Sequence, residues 1–409
     1  MDNNSHIRIL SQYFYPDVAS TGQLLTELAI GMTQNGLIVD VITAKPTYAG
    51  KLDAPKRENF HGVNIRRVKA TRMNKNSKKG QIFNSISFFV MSFIHFFVSK
   101  KNSPVLIVSN PPFLPFMGYL IKTFRNTPYI VLVHDVFPEK AIQLKYIKED
   151  SFLSKFWKFW DRKSLNYSSN VIAISSTMNN TITEKFNEYG IDNTNKIVTI
   201  HNWADADFIK PIDESENIFI KEHSLSGKFI VQYSGNLGAS YELEVLINAA
   251  RKTENDSIIF LFIGDGVKKK KLMKMAEEYS LKNVMFIPYQ KKSMLPYSLT
   301  SSSVSIVTYE KHMEGLLMPS KLYTTLASGR SVISFCNEDS EVGRIIKEAE
   351  CGFSISGIDE DELLEKIYYL LDNPELRCKM GANARKYFEN NFTLDHSLSK
   401  YIKVIKGIQ

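Results

Sequence analysis

Short hydrophobic runs recur along the whole chain, with stretches of helical periodicity between them. Residues 7–10 and 39–43 form two such runs, and Leu24 and Leu28 fall on one face of the segment between them, 23–35. Continuous apolar runs of this length are typical of strands buried in a parallel sheet. The pattern therefore predicts strand, helix, strand in the right-handed crossover unit of such a sheet.

Two series of these units follow each other along the chain. The segment between them, 211–226, is acidic and rich in turn residues, which indicates a boundary. The sequence therefore predicts an α/β protein with two Rossmann-like, doubly wound parallel-sheet domains, at 1–210 and 211–390. The further strands are predicted at 105–108, 129–133, 171–174 and 197–200 in the first series, and at 229–233, 258–263, 284–287, 304–307 and 332–335 in the second.

Composition narrows the class of protein and its partners. A chain of 409 residues exceeds one comfortable core, and 44% hydrophobic with 23% charged residues is typical of a folded globular protein. The net charge of +8 favours anionic partners: nucleic acid, anionic lipid or phosphorylated small molecules. Cys336, Cys351 and Cys378 have no ligand-type spacing, so neither a disulfide framework nor a zinc site is predicted.

The segment 310–334 carries the most informative chemistry. It predicts a polar loop and then a helix at 320–328, with Gly329 in the left-handed position past the helix end. A carboxylate, a hydroxyl and an ammonium come together where this helix begins, beside backbone N–H groups that attract phosphate. Lys321 could meet a diphosphate there, and Glu314 could meet sugar hydroxyls. A solvated helix start with a capping serine is the alternative interpretation.

The same segment resembles the donor-binding signature of retaining glycosyltransferases of family 4, in the lineage that builds bacterial surface polysaccharides. The wider family has two glutamates separated by seven residues, and Leu316 and Thr324 stand at those positions here. The strict signature is therefore absent. The lineage pattern of Glu-Gly, an apolar spacer, Pro-Ser-Lys and a small-residue helix ending in glycine is found as Glu314-Gly315, residues 316–318, Pro319-Ser320-Lys321 and residues 326–329.

This resemblance covers most of the chain and implies the GT-B fold, in which two Rossmann-like domains face each other across a cleft. In that fold the last helix, within 391–409, returns to the N-terminal domain. The resemblance implies a retaining transferase that takes its sugar from a nucleotide sugar, with a UDP-sugar expected, and that uses no metal or other cofactor. The sequence agrees on the metal, because it has no Asp-x-Asp after an apolar strand and no His and carboxylate cluster at ligand spacing.

Loops after the predicted strands supply further candidate residues, because ligands of open α/β sheets bind beyond the carboxyl ends of the strands. In the first domain, His134 could donate to a sugar hydroxyl, while Asp135 and Glu139 could bind and orient the acceptor. His134 and Glu314 are expected to approach the same sugar from opposite domains. A structural hydrogen-bond donor is the alternative for His134. Gly22 at a helix start is a weaker candidate for donor binding, with an ordinary loop glycine as its alternative.

In the second domain, two glycine turns are predicted to bind the donor. Gly235 and Asn236 follow a strand, where glycine lets backbone amides approach phosphate closely. Family members usually have an arginine after this glycine and a lysine a few residues on. Because that clamp is missing here, Lys321 is expected to replace it. Gly264 and Gly266 resemble the family's Gly-x-Gly turn near the donor base, and a plain structural turn is the alternative.

The acceptor implied by the resemblance is a polyprenyl-linked saccharide of O-antigen or capsule synthesis, and nucleic acid is not expected as a partner. The resemblance is closest to enzymes that add N-acetylfucosamine-type amino sugars. Two alternatives stay open. A non-hydrolysing UDP-sugar epimerase shares the fold, although its acidic catalytic set is not found here. A non-catalytic nucleotide-sugar-binding subunit fits the loss of both family glutamates.

Two segments predict contact with an anionic membrane surface. Residues 82–98 form an apolar stretch behind a basic tract, and either a buried core helix or a membrane-surface helix fits it. Residues 152–165 combine an aromatic side with cations, as interfacial helices do, with core packing as the alternative. Because the chain starts without a signal-peptide pattern, we expect a cytoplasmic protein at the inner face of the plasma membrane. The basic residues are Arg66, Arg67, Lys69, Arg72, Lys75, Lys78 and Lys79 in the tract, and Lys155, Lys158, Arg162 and Lys163 in the second segment.

Overall fold

The computed structural model describes residues 5–17, 19–46, 53–73, 77–99 and 103–408, which fold into two compact units. Each unit is built on its own sheet, with helices in the connections between parallel strands. The prediction of two doubly wound α/β domains is therefore confirmed. Unit 1 comprises Met1–Asn202, Gly315–Met318 and Leu394–Gln409, and unit 2 comprises Trp203–Glu314 and Pro319–Thr393.

The elements of unit 1 alternate between strands and helices. Its strands are β1 (His6–Leu10), β2 (Ile38–Thr43), β3 (Arg57–Phe60), β4 (Val63–Arg67), β5 (Val105–Val108), β6 (Tyr129–Val133), β7 (Asn170–Ala173) and β8 (Ile197–Thr199). Its helices are α1 (Ser20–Gln34), α2 (Lys78–Val98), α3 (Leu114–Arg125), α4 (Glu139–Gln143), α5 (Phe152–Asn166), α6 (Ser176–Tyr189) and, from the end of the chain, α15 (Leu394–Lys406).

The sheet of unit 1 has the strand order β3-β4-β2-β1-β5-β6-β7-β8. The direction of winding reverses between β1 and β5, so the loops beyond their carboxyl ends border the crevice where open sheets bind ligands. Strands β5 and β6 are buried along their whole length, which explains their continuous apolar runs. Helix α15 packs on α1, where Gly31 leaves room for the Leu398 side chain; a Cβ at position 31 would lie 2.8 Å from Leu398 Cδ2.

Strands β3 and β4 form an edge hairpin that the hydrophobic pattern did not predict. They pair antiparallel, and His61 and Gly62 make the turn between them with φ of 49° and 85°. Positive φ at both turn residues is the type I′ geometry that hairpins favour. The hairpin was missed because its exposed edge strand, β3, is polar and carries no buried apolar run.

The basic tract before α2 is not a uniform cationic face. The Arg67 side chain is buried; it pairs with Glu58 at 2.8 Å and donates to the carbonyl oxygen of Tyr15 at 2.8 Å. Its charge is therefore used within unit 1, which corrects the expectation that it faces a membrane. Lys75 lies outside the described residues, as does the side chain of Lys78.

Unit 2 contains the second parallel sheet. Its strands are β9 (Phe229–Ser234), β10 (Ile258–Ile263), β11 (Val284–Ile287), β12 (Val304–Thr308), β13 (Ser331–Phe335) and β14 (Gly352–Ile355), in the order β11-β10-β9-β12-β13-β14 across the sheet. Winding reverses between β9 and β12, which places the switch point of this unit at the carboxyl ends of those two strands. The helices are α7 (Ile218–Glu222), α8 (Glu244–Lys252), α9 (Lys269–Glu278), α10 (Leu295–Leu299), α11 (Lys321–Ala327), α12 (Glu341–Ala349), α13 (Glu360–Asp372) and α14 (Pro374–Asn391).

Apart from a three-residue shift at 391–393, the observed boundaries of the units differ from the predicted ones at two places. Residues 203–210 belong to unit 2, because the Arg385 guanidinium donates to the carbonyl oxygen of Ala206 at 2.9 Å. Residues 315–318 belong to unit 1, because the backbone N–H of Val136 donates to the carbonyl oxygen of Leu316 at 2.9 Å. Both differences depend on contacts between residues far apart in the sequence, which hydrophobic periodicity does not report.

Candidate active site

Two glycine turns lie beside each other at the carboxyl ends of β9 and β10. A Cβ on Gly264 would lie 1.9 Å from the carbonyl oxygen of Gly235, and one on Gly266 would lie 2.4 Å from that of Leu237. The φ angles at positions 264 and 266 are 144° and 159°, which side chains rarely tolerate. Backbone packing alone therefore requires glycine at both positions. The predicted contact of Gly264 and Gly266 with the donor base stays a prediction.

Lys321, the first residue of α11, lies beside the turn at Gly235. Its ammonium lies 3.9 Å from the ring centroid of Tyr233 and 3.8 Å from that of Tyr241, and it donates to the Tyr233 hydroxyl. The same hydroxyl donates to the carbonyl oxygen of Asn236 at 2.8 Å. Burial lowers the pKa of Lys321 well below its ordinary value, whereas contact with the two aromatic faces favours its protonated form. The predicted residues Gly235, Asn236 and Lys321 are thus brought together at the switch point of unit 2.

The segment around Lys321 also departs from its predicted form. Helix α11 begins at Lys321, and the Ser320 side chain makes no capping hydrogen bond, so the capping interpretation of this serine is wrong. Gly329 has φ of 64°, as predicted for the residue past the helix end. The Thr324 hydroxyl donates to the carbonyl oxygen of Lys321 at 3.0 Å, within the helix. Glu314 accepts from Asn337 Nδ2 at 3.5 Å.

In unit 1, His134 follows β6 and is fixed by polar neighbours. The Ser109 hydroxyl accepts from the backbone N–H groups of His134 and Asp135 at 3.0 and 3.2 Å. The Thr21 hydroxyl lies 3.3 Å from His134 Nδ1. Burial lowers the pKa of His134 to about 4, so its imidazole is neutral near pH 7. A neutral imidazole has one N–H donor and one acceptor nitrogen, which suits contact with a sugar hydroxyl.

Gly22 and Gly315 both have packing reasons to be glycine. A Cβ on Gly22 would lie 3.3 Å from the carbonyl oxygen of Asp17, where the loop after β1 folds over the start of α1. A Cβ on Gly315 would lie 2.3 Å from the Thr181 hydroxyl oxygen, within unit 1. The predicted roles of both glycines in donor binding stay predictions.

The two acidic candidates for acceptor binding are each held by a lysine. Asp135 pairs with Lys140 at 2.6 Å, and Glu139 pairs with Lys185 at 2.7 Å. Lys185 is buried and also pairs with Asp161 at 2.8 Å, so it joins α4, α5 and α6. Burial raises the pKa of Asp161 to about 6. Sequence reasoning missed this network, although a lysine in line with the apolar residues of α6 was a usable signal.

The architecture resembles solved structures along almost the whole chain. Sucrose-phosphate synthase from Thermosynechococcus elongatus superposes with a TM-score of 0.78 at 14% identity, with 99% of each chain covered. HepE from Anabaena, in complex with UDP and glucose, gives a TM-score of 0.75 at 13% identity, covering 98% of this chain and 100% of the other. At these identities the likeness shows the fold alone, which is the predicted GT-B fold.

Family comparison decides the class of protein. Residues 214–387 match the family described as Glycosyl transferases group 1, and residues 21–208 match Glycosyltransferase Family 4. The two matches lie side by side and together cover most of the chain. The chain is a glycosyltransferase of the GT-B fold. This confirms the predicted family, whereas a retaining mechanism and a preference for N-acetylfucosamine-type sugars stay predictions.

Two curated relatives extend over most of the glycosyltransferase. The putative colanic acid biosynthesis glycosyl transferase WcaI of Escherichia coli K12 is 25% identical over 409 residues, which are 96% of this chain and 98% of the relative. The probable glycosyltransferase WbjE of Pseudomonas aeruginosa is 26% identical over 313 residues, 76% of each chain. Among the described residues, no group of three or more His, Cys, Asp or Glu could hold a metal ion, and metal independence stays a prediction.

Helix α2 of the glycosyltransferase buries Asn84 and Ser92 together with Phe88 and Phe96, and leaves a row of apolar side chains exposed. The Asn84 amide donates to the carbonyl oxygen of Met73 at 3.0 Å. Among the described residues one stretch, Lys79–Val98, is long and apolar enough to cross a membrane by length and composition, and 22% of it is buried. The outward side chains, each between 41 and 57% exposed, are Ile82, Phe83, Ile86, Val90, Ile94 and Phe97.

Helix α5 continues this exposed apolar surface. Trp157 is buried, whereas Phe152, Phe156 and Phe159 are 83, 46 and 52% exposed, so core packing does not account for those three aromatic residues. Phe116 of α3 links the helices, with ring centroids 6.1 Å from Phe89 of α2 and 4.5 Å from Trp160 of α5. We call the outward side chains of α2 together with Phe152, Phe156 and Phe159 the apolar face.

Proposed function

We propose that this glycosyltransferase transfers a sugar, with retention of anomeric configuration, from a UDP-sugar to a lipid-linked saccharide in the assembly of a bacterial surface polysaccharide. The observation that carries the proposal is the Lys321 ammonium beside the Gly235 and Asn236 turn, at the switch point of unit 2. The relative WcaI is named for colanic acid biosynthesis, and HepE was solved with UDP and glucose. Both descriptions support the proposed substrates.

The chemistry of the site supports the donor half of the proposal. Loss of the nucleoside diphosphate develops negative charge on its phosphate oxygens, and a fixed cation in a desolvated setting stabilises that charge. Lys321 supplies the cation without a metal. Glu314 is proposed to bind sugar hydroxyls, and His134 to donate to a hydroxyl as a neutral imidazole. Asp135 is proposed to orient the acceptor.

Nucleotide protection and product analysis test this function. UDP is expected to raise the melting temperature more than GDP or ADP, because the proposed donor is a UDP-sugar. A ligand at one hundred times its Kd adds roughly 2.7 kcal/mol to the free energy of unfolding. Incubation with UDP-sugars and a polyprenyl-diphosphate saccharide should yield a lipid-linked product with the anomeric configuration of the donor, as read by NMR.

Other outcomes of this experiment separate the alternatives. A free epimerised UDP-sugar would identify an epimerase, and UDP protection without transfer to any acceptor would identify a non-catalytic binding subunit. Neither the family matches nor the named relatives support these two alternatives. A protein that no nucleotide protects and that transfers no sugar would contradict the proposed function.

We also propose that the enzyme works at the inner face of the plasma membrane, with the apolar face in contact with lipid. Contiguous exposed apolar surface of this kind marks contact with a membrane or a partner. The exposed Lys155 lies on α5 between Phe152 and Phe156, so a cation accompanies the aromatic residues. Basic residues near an anionic leaflet contribute roughly 1 kcal/mol each, and inserted aromatic side chains add the hydrophobic term.

Vesicle flotation tests the membrane proposal. The triple variant Phe152→Ser, Phe156→Ser, Phe159→Ser is expected to lose most of its binding to phosphatidylglycerol-containing vesicles, and high salt should release part of the wild type. A control variant with Val267→Ser, Met273→Ser and Ile358→Ser removes exposed apolar residues from unit 2 and should bind like the wild type. If the α5 variant floats with the vesicles as fully as the control does, α5 makes no membrane contact.

A further inference from the structure

Three residues that are distant in the sequence come together in unit 2, where two tyrosine rings enclose the Lys321 side-chain nitrogen. Tyr233 ends β9, Tyr241 lies in the loop before α8, and Lys321 begins α11. The ammonium of Lys321 is within 3.9 Å of both ring centroids, and the rings stand edge to face with centroids 6.2 Å apart. Tyr233 is fully buried, so packing holds its ring in place on one side of the Lys321 nitrogen.

The contacts of the two tyrosines determine where the ammonium lies. A lysine side chain has many rotamers, and a cation held against aromatic faces loses that freedom before any ligand arrives. The Tyr233 hydroxyl accepts from Lys321 and donates to the carbonyl oxygen of Asn236, which ties the cation to the glycine turn. A Cβ on Gly235 would lie 3.4 Å from Lys321 Cε, so the turn and the lysine are in van der Waals contact.

We propose that Tyr233 and Tyr241 are positioning residues that hold the Lys321 ammonium at the glycine turn, ready to meet the diphosphate of the donor. The inference rests on the proposed function, because it assigns the partner of Lys321 as a nucleoside diphosphate. Lys321, held in this way, would substitute for the arginine clamp that the chain lacks after Gly235. The tyrosines act through Lys321 and supply no charge of their own to the ligand.

Calorimetric titration with UDP tests the positioning role. Tyr241→Leu is expected to weaken UDP binding roughly tenfold, since one desolvated cation–π contact is lost, whereas Tyr241→Phe keeps the ring and should restore wild-type affinity. The matched control is Tyr279→Leu, which removes a ring that lies 4.4 Å from the Arg251 guanidinium elsewhere in unit 2. The control should bind UDP as the wild type does.

A double-mutant cycle shows whether the effect passes through the lysine. In a Lys321→Met background, Tyr241→Leu should cause no further loss of UDP affinity, because the group it positions is gone. Independent losses from the two substitutions would overturn the inference. Melting temperatures identify any unfolded variant, and Tyr241→Met then replaces Tyr241→Leu in the cycle.

The remaining outcomes separate this inference from the proposed function. If the wild type binds UDP and Tyr241→Leu binds it equally well, the positioning role is wrong and the proposed function stands. If the wild type itself does not bind UDP, the proposed donor is wrong. In that case the tyrosines have no diphosphate to position, and the inference is overturned with the proposed function.

Discussion

Replacing Lys321 by methionine is expected to lower kcat for sugar transfer roughly 10²–10³-fold, which corresponds to about 3–4 kcal/mol of transition-state stabilisation. Methionine keeps much of the volume between the rings of Tyr233 and Tyr241 but carries no charge. The leaving diphosphate then has no cation where its charge develops. Initial rates at varied UDP-sugar concentration measure the effect; KM for the donor should rise as well, so kcat/KM falls more than kcat does.

A surface lysine provides the control for this experiment. Lys274→Met on α9 removes the same charge from a side chain that is 75% exposed and pairs with Glu278 at 3.3 Å. It should leave kcat and KM unchanged, because a screened surface charge contributes little. Wild-type kinetics for Lys321→Met would mean that the donor diphosphate binds elsewhere in the enzyme.

The strands of both units could be read from the sequence because their burial produces a local signal. The predicted strands at 105–108, 129–133, 258–263 and 284–287 coincide with β5, β6, β10 and β11 at both ends. All four are continuous apolar runs; β5, β6 and β10 are buried almost throughout, and β11 is partly buried at the edge of its sheet. Strand β14 was missed because its four residues, Gly-Phe-Ser-Ile, form no continuous apolar run, whereas β11, an edge strand that is just as partly buried, is apolar throughout.

Hydrophobic periodicity could not predict which face of α2 packs against the rest of unit 1. The pattern placed polar side chains along the helix but gave no sign of which side meets the sheet. In the structure Asn84 and Ser92 point inward, since the Asn84 amide bonds the backbone at Met73. Phe88 and Phe96 are buried on the same side, so their packing acts together with this hydrogen bond to orient the helix.

The candidate site was predictable as a set of strand-end loops, but its internal contacts were not. Lys321 was expected to meet a diphosphate, and nothing near it in sequence indicates Tyr233 or Tyr241. Those neighbours follow from the adjacency of β9 and β12, which brings α11 to the turn after β9. Glu139 likewise was expected to serve an acceptor, and its pairing with Lys185 depends on α6 packing beside α4.

The second large effect is a loss of folding stability when Lys185 is replaced. Lys185→Met should lower the free energy of unfolding by about 3–5 kcal/mol, the usual cost of removing one partner from a buried ion pair. Lys185 is buried and pairs with Glu139 at 2.7 Å and Asp161 at 2.8 Å, so the variant leaves two carboxylates without their counter-charge. Urea unfolding followed by tryptophan fluorescence measures the loss. Lys158→Met, which removes partly exposed pairs with Glu188 at 3.3 Å and Glu149 at 3.8 Å, should cost at most ~1 kcal/mol.

The loss in Lys185→Met is expected to depend on pH in a defined direction. Asp161 already has a pKa raised to about 6 by burial, and removing the lysine raises it further because the attraction that lowers it is gone. As pH falls below the raised pKa of Asp161 in the variant, this carboxyl takes up a proton and its buried charge disappears. The difference in unfolding free energy between wild type and variant should therefore shrink from about pH 8 to about pH 5. A pH-independent difference, or one no larger than that of Lys158→Met, would mean that the network does not stabilise the packing of α4, α5 and α6.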